Sequence, residues 1–217
     1  MVLIHSPMAL TLKRFTVGPL QENCYLLSDA ASKQAVLIDP GDEADLLLRA
    51  LRDAGMNLQA VWLTHAHFDH IGALADIEEA LEVPVYLHPA ELPLYGNAAQ
   101  AAQHWEMPFR QPKSKTLELA DAQTLTLGDT EVHCLLTPGH APGHIAFYVP
   151  SEGMVLAGDA LFQGSIGRTD LPMGNHEQLL ESVKTKRLTL PDATVVYPGH
   201  GPETTVGREK QTNPFLQ

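Results

Sequence analysis

Thr64-His65-Ala66-His67-Phe68-Asp69-His70 packs four metal-ligand side chains into six positions, directly after the apolar run Ala60-Val61-Trp62-Leu63. Side chains alternate along a strand, so His65 and His67 share a face at its end. Adjacent Asp69 and His70 cannot join them at the same point from an extended chain. The segment therefore predicts a strand end, a tight loop and a helix start, with Asp69 and His70 aimed at a second point close by. Two metal ions held side by side need that arrangement. Three imidazoles and a carboxylate this dense are costly to bury unless a cation satisfies them. A merely hydrogen-bonded polar loop is the weaker reading.

Three later segments repeat the pattern. Thr137-Pro138-Gly139-His140 follows the strand-like Glu131–Leu136, Gly158-Asp159 follows Met154–Ala157, and Pro198-Gly199-His200 follows Thr194–Tyr197. Each time an apolar run ends near a glycine, which permits a sharp turn and close approach of the backbone to a ligand. Four strand ends are expected to converge on one edge of a sheet. They deliver seven ligand candidates: His65, His67, Asp69, His70, His140, Asp159 and His200.

This set resembles the metallo-β-lactamase superfamily over nearly the whole chain. Within it, Thr137-Pro138-Gly139-His140-Ala141-Pro142-Gly143-His144 and Gly158-Asp159-Ala160-Leu161-Phe162 are similar to the hydroxyacylglutathione hydrolase (glyoxalase II) branch. So are Glu22-Asn23-Cys24-Tyr25 and Asn213-Pro214-Phe215-Leu216. The resemblance implies an α/β fold: an αβ/βα four-layer sandwich with two mixed β-sheets and the site along one edge. It implies His65, His67 and His140 around one ion, Asp69, His70 and His200 around a second, and Asp159 as the bridge. Two ions about 3.5–4 Å apart can share a hydroxide, polarise a carbonyl and stabilise a leaving group. Bound water acquires a pKa of about 7, so no Ser or Cys nucleophile is needed, and Gly-x-Ser-x-Gly is absent. Zinc is the expected metal, with iron and manganese as alternatives, because mixed His/Asp sites accept all three. Asp69 is also the expected catalytic residue, holding the attacking water. The implied reaction is hydrolysis of a thioester, S-D-lactoylglutathione or a related hydroxyacyl thioester, with charge landing on the metals and a thiolate leaving.

Further roles follow from the same resemblance. Arg168, in Gly164-Ser165-Ile166-Gly167-Arg168-Thr169-Asp170, matches a basic residue that contacts glutathione in glyoxalase II. It is expected to bind substrate by gripping a carboxylate, and also to pair with Asp170. His144, four residues after His140, is expected to support a ligand from behind, as is Asp170. Full-length glyoxalase II carries an extra C-terminal helical domain, and this chain is more similar to the shorter, single-domain proteins of that branch. Arg208 and Lys210 are expected to be solvated surface charges. The runner-up is a persulfide dioxygenase with one iron on residues matching His65, His140 and Asp159; its loop also reads Gly-Arg-Thr-Asp, as here at 167–170. The Pro-Gly-His-x-x-Gly-His segment at 138–144 favours the hydrolase. A β-lactamase is disfavoured, because no export signal is visible and Asp159 is not the bridging ligand those enzymes use. A flavodiiron protein is expected to carry Glu in place of His67, and a nuclease an inserted domain and a more basic face. A non-catalytic metal-binding protein is disfavoured by the complete ligand set.

The elements that must position these residues are legible in outline. Leu10–Val17, Cys24–Ser28, Ala35–Ile38, Leu58–Leu63 and Val83–Leu87 read as strands. Ala44, Leu47, Leu48 and Leu51 follow helical spacing that Gly55 stops, and Ile71, Leu74, Ile77 and Leu81 predict a second helix. A Pro-broken helical stretch covers 89–105. Hairpins are expected for 124–127 with 131–136 and for 145–149 with 154–157, then a Gly-rich loop over 161–175, a helix over 176–188, a last strand over 194–197 and a short closing helix. Hairpin and β-α-β order together suggest mixed sheets with helices outside. Pro-Gly-His recurs at 138–140 and 198–200, which fits two similar halves.

Size and charge bound the function. The 217 residues make one domain, 1–217, with 1–7 as a candidate extension ahead of Met8. The net charge of −12 argues against nucleic acid and against an anionic membrane surface. No signal peptide or membrane-length apolar run is visible. Cys24 and Cys134 sit in apolar strands and read as buried free thiols. These features predict a cytoplasmic protein; the resemblance implies a small, glutathione-derived thioester as partner, with a homo-oligomer left open. His5, His88, His104, His133 and His176 are expected to be surface or satisfied interior residues.

Overall fold

The computed structural model describes residues 10–217; the expectations for residues 1–7, for Met8 and for His5 lie outside the described residues. The first sheet holds β1 (Thr11–Val17), β2 (Glu22–Asp29), β3 (Gln34–Ile38), β4 (Asn57–Trp62), β5 (Val85–Leu87) and β6 (Thr116–Glu118), side by side in chain order. The first two pairings are antiparallel and the rest parallel. Parallel neighbours need crossovers. Helices supply them: α1 (Ala44–Asp53), then α2 (Phe68–Ile71) with α3 (Leu74–Ala80), then α4 (Leu92–His104).

The second sheet begins with β7 (Thr124–Leu127), β8 (Thr130–Leu136), β9 (Ile145–Val149) and β10 (Met154–Gly158), each antiparallel to the strand before it. A small hairpin, β11 (Leu161–Phe162) and β12 (Ser165–Ile166), and helix α5 (His176–Ser182) follow. Strand β13 (Val195–Pro198) then returns parallel to β10, β14 (Thr204–Thr205) closes the edge, and α6 (Val206–Thr212) ends the described elements.

Alternation along the strands explains the layering. In β2, fully buried along its length, Cys24 and Leu26 face a core shared with α1 and α3, whereas Tyr25 and Leu27 face the second sheet. In β9, Phe147 and Val149 meet that same inter-sheet core, where the Trp62 and Phe147 ring centroids lie 5.4 Å apart. Ala146 faces a third core with α5 and α6. Three cores separate four layers, the expected α/β sandwich with two mixed sheets. Among the described residues no helix is long and apolar enough to cross a membrane.

Several expectations need correction. The four motif-bearing strand ends do not lie on one sheet. Strands β8, β10 and β13 run parallel to one another through the second sheet, so their C-terminal ends share an edge, but β4 belongs to the first. The site therefore spans the mouth of the sandwich. The single helix expected from Ile71 to Leu81 is broken at Gly72-Ala73, where Ala73 N–H bonds the Pro40 carbonyl at 3.0 Å instead of continuing α2. Strand β6 was not anticipated; it has three residues, mostly exposed. The helix after His176 becomes a π-turn over Val183–Arg187. The strand pattern β1-β2-β3-β4 does recur as β8-β9-β10-β13, but it equates the end of β13 with that of β4. The two Pro-Gly-His copies, after β8 and β13, are not equivalent positions.

Candidate metal centre

His65, His67 and His140 converge. His67 Nδ1 lies 3.0 Å from His65 Nε2 and 3.0 Å from His140 Nε2, and the latter two nitrogens are 3.3 Å apart. Tetrahedral zinc with nitrogens at about 2.0–2.1 Å needs donors roughly 3.3 Å apart. Burial, then the neighbouring His140, pushes His67 down to about 3, and burial likewise lowers His65 and His140. Neutral rings present lone pairs, the form that binds metal.

Asp69, His70 and His200 form a second group within reach of one ion. His200 Nε2 is 3.3 Å and His70 Nε2 3.9 Å from Asp69 Oδ2. Asp159 lies between the groups: its Oδ2 is 3.6 Å from His140 Nε2 and 3.6 Å from His200 Nε2, and its Oδ1 is 3.5 Å from His70 Nε2. Burial opposes charge on both His70 and Asp159, yet the carboxylates Asp159 and Asp69 raise His70, and His70 and His200 hold Asp159 far below the carboxylate range. A field that favours a proton here favours a divalent cation more. His70 Nε2 and Asp159 Oδ1 are buried without a hydrogen-bond partner, as donor atoms aimed at an ion would be. The donor set fits a metal.

The far sides of these rings are tied down. His140 Nδ1 donates to the Arg168 carbonyl at 2.7 Å, His200 Nδ1 to the Leu20 carbonyl at 3.1 Å, and His70 Nδ1 to Asp39 Oδ2 at 3.1 Å. Thr64 Oγ1 donates to Asp39 Oδ2 at 2.6 Å and so accepts from His65 Nδ1 at 2.9 Å. Such partners fix tautomers and leave each Nε2 free. Asp39 also takes the Thr64 N–H at 2.7 Å. The cluster Asp39, His65 and His70 is therefore a support for the other two groups, its carboxylate being fully used.

The family model for the metallo-beta-lactamase superfamily matches residues 17–200. The chain belongs to that superfamily. Among curated relatives of this metallo-beta-lactamase-superfamily chain, the probable metallo-hydrolase YqgX of Bacillus subtilis is 42% identical, the alignment covering 94% of this chain and 96% of the relative. The hydroxyacylglutathione hydrolase GloC of Haemophilus influenzae is 37% identical, covering 92% and 95%. Among solved structures, BLEG-1, described as a B3 metallo-beta-lactamase, superposes with a TM-score of 0.89 at 40% identity, covering 95% of this chain and all of that one. TTHA1623 in a di-iron-bound form gives 0.88 at 48%, covering 94% of this chain and all of that one. ETHE1 from Myxococcus xanthus gives 0.78 at 29%, covering 94% and 83%.

His144 sits behind Asp159. Its Nε2 accepts the Asp159 N–H at 3.0 Å, so its Nδ1 carries the proton and meets Thr137 Oγ1 at 3.0 Å. Gly158, at φ +48°, makes the turn; a Cβ there would come within 2.6 Å of His144 Nε2. Arg168 lines the cleft but is bound by Asp170 through Nε and Nη2, each at 2.8 Å. Asp170 thus steadies Arg168, whose carbonyl holds His140. Cys24 and Cys134 are buried and unpaired, His88 accepts the Ala90 N–H, and His104 is exposed, as expected, at the cleft.

Four supports escaped the sequence reading. Asp39 follows β3 in Ile38-Asp39-Pro40-Gly41, a strand end with an acidic residue as at Asp159, but with the glycine after the carboxylate and not before it. Glu91, fully buried, accepts from Ala66 N–H at 2.9 Å and Gly143 N–H at 2.6 Å, stitching the His65–His67 loop to the His140–His144 loop. Burial raises its carboxyl to about 7. Arg187, buried on the π-turn, donates to the Ala157 carbonyl at 2.7 Å and to Thr137 Oγ1 at 3.2 Å, and burial lowers it to about 9. Glu22 is buried 3.7 Å from His70 Nδ1, and burial pushes its carboxyl up from the ordinary range.

Proposed function

We propose that this chain is a metal-dependent hydrolase of thioesters, with S-D-lactoylglutathione or a related hydroxyacyl thioester as substrate. In this reading His65, His67 and His140 would hold one divalent ion and Asp69, His70 and His200 a second, with Asp159 as the ligand that would serve both. The observation that carries it is Asp159, whose oxygens stand 3.5–3.6 Å from nitrogens of both groups. Zinc is the proposed metal; the di-iron neighbour makes iron the first alternative, with manganese next. When bound, two such ions supply Lewis acidity to an acyl oxygen and make water a nucleophile at neutral pH.

Asp69 is the proposed catalytic residue. It accepts a hydrogen bond from the attacking water and aims it. Burial opposes its charge, but His70 and His200 outweigh it and hold the carboxyl below the usual range, so it remains an acceptor at neutral pH. The water oxygen joins the acyl carbon, the C–S bond breaks, and the thiol leaves with a proton. His144 keeps the Asp159 backbone in place through the reaction. The GloC likeness supports a glutathione carrier. The unpaired thiols support a cytoplasmic setting.

Steady-state hydrolysis of S-D-lactoylglutathione by metal-replete protein tests the reading, with Asp159→Ala as blank. A kcat/KM of about 10⁴ M⁻¹s⁻¹ or more, lost in the variant, is expected. A β-lactam run in parallel addresses the BLEG-1 likeness; faster turnover of the β-lactam would overturn the thioester assignment. The loop Gly167-Arg168-Thr169-Asp170 and the ETHE1 likeness favour a second reading, an iron persulfide dioxygenase. Oxygen uptake with glutathione persulfide, and no thioester turnover, would select it.

A further inference from the structure

The cleft over the centre has a volume of about 1080 Å³, which the thiol carrier and the acyl group share. One side is a helix face. Leu94, Ala98, Ala101 and Trp105 recur at spacings of four, three and four along α4 and its end, and all line the cleft. Ala98 is buried and Ala101 exposed, so small side chains separate the larger ends; Asn97, Gln100 and His104 also line the cleft, leaving this stripe as its apolar part. Phe68, immediately after His67, lies with its ring 6.5 Å from that of Trp105, so the apolar surface begins at the centre and continues to the mouth. Met173 faces it across the cleft; Trp105 is 46% and Met173 49% exposed.

Charge points the same way. Arg168 is the sole Lys or Arg among the residues lining the cleft, and Asp170 already holds its guanidinium bidentately. The guanidinium also lies 5.8 Å from the Trp105 ring centre, capping the groove. A substrate carboxylate must displace Asp170 to use this cation. An uncharged hydrocarbon group needs only the groove.

We infer that the α4 groove is a subsite for a hydrocarbon acyl chain, and that the preferred thioester carries an apolar acyl group longer than lactoyl. The inference rests on the thioesterase reading for the reaction, but not for binding. Two measurements separate them. The first is kcat/KM for N-acetylcysteamine thioesters of acetyl, butanoyl and hexanoyl acids beside S-D-lactoylglutathione. Values are expected to rise about fourfold per methylene, the transfer free energy of a buried CH₂ expressed as a rate ratio. Trp105→Ala, and Ala101→Asp at an exposed groove position, should lower the hexanoyl value far more than the acetyl value. The second is binding of S-hexyl-N-acetylcysteamine, a thioether that cannot be hydrolysed, followed by tryptophan fluorescence. Trp105→Phe assigns the signal, since Trp62 is buried in the inter-sheet core. Thioether binding without turnover of any thioester would sink the hydrolase and leave the subsite standing. Chain-length-independent kcat/KM, an equal loss for all substrates in both variants, or no thioether binding would overturn the subsite.

Discussion

The floor and the wall of the cleft are built on opposite terms. On the floor His65, His70, His140 and His200 each give a far nitrogen to a defined acceptor, and the Asp159 amide is held by His144. On the wall, Leu94, Ala98, Ala101 and Trp105 present hydrocarbon from one helix. Misplacing a floor donor by an ångström ruins coordination, so each is over-determined by its neighbours. A wall residue is defined by size and polarity, and exchange is tolerated. Reaction and substrate preference are therefore separable: variants of the floor should change metal content, and variants of the wall should change only which substrate fits.

The sharpest attempt to break this division is Asp159→Ala. Loss of the bridge should reduce bound metal and lower kcat by at least about 10³-fold, read by metal analysis and initial rates; a variant retaining both ions and turnover would show that the floor is not organised around Asp159. Next is Glu91, whose folded-state carboxyl is raised to about 7 while an unfolded one titrates near 4.5. The folded protein binds this proton more tightly, so the stabilising contribution is complete below about pH 4.5 and disappears as pH rises through 7. Between pH 4.5 and 7, wild type should lose up to about 3 kcal/mol relative to Glu91→Gln. Urea midpoints of the two proteins across that range provide the check, and parallel pH profiles would refute it. His144→Phe keeps the ring volume and removes the acceptor for the Asp159 amide; chelator competition should show metal affinity about 10–100-fold weaker. On the wall, Leu94→Ala should change KM by about tenfold or less for a bulky acyl thioester, with metal content equal to wild type. Depleted metal in that last variant would blur the line between wall and floor.

The donors were legible because each group follows an apolar strand, His140, Asp159 and His200 directly after a glycine and the other four in one dense run. Asp39 also stands directly after an apolar strand, but its glycine comes two residues later, and Asp42 and Glu43 beyond it make the segment read as an ordinary acidic turn. Glu91 left no trace: a glutamate opening a helix after Pro89 is what any helix start looks like, and only the meeting of Ala66 with Gly143 gives it work. The assignment of all four strand ends to one sheet failed for a related reason. Local pattern reports that a strand ends, and only the pairing of β4 with β3 and of β8 with β9 decides which sheet it joins. Arg168 was expected both to grip substrate and to pair with Asp170; the pair is seen, and it sets the terms on which any grip would have to compete.

The centre draws donors from the loop after β4 and, last in the chain, from His200 after β13. A growing chain thus lacks the complete pair of donor groups until His200 has been synthesised and both sheets have docked. Such distant pairings form slowly. An ion that binds only the docked state then adds stability by mass action. It acts as a latch on a completed fold, and chelation should speed unfolding more than it alters the early steps of folding.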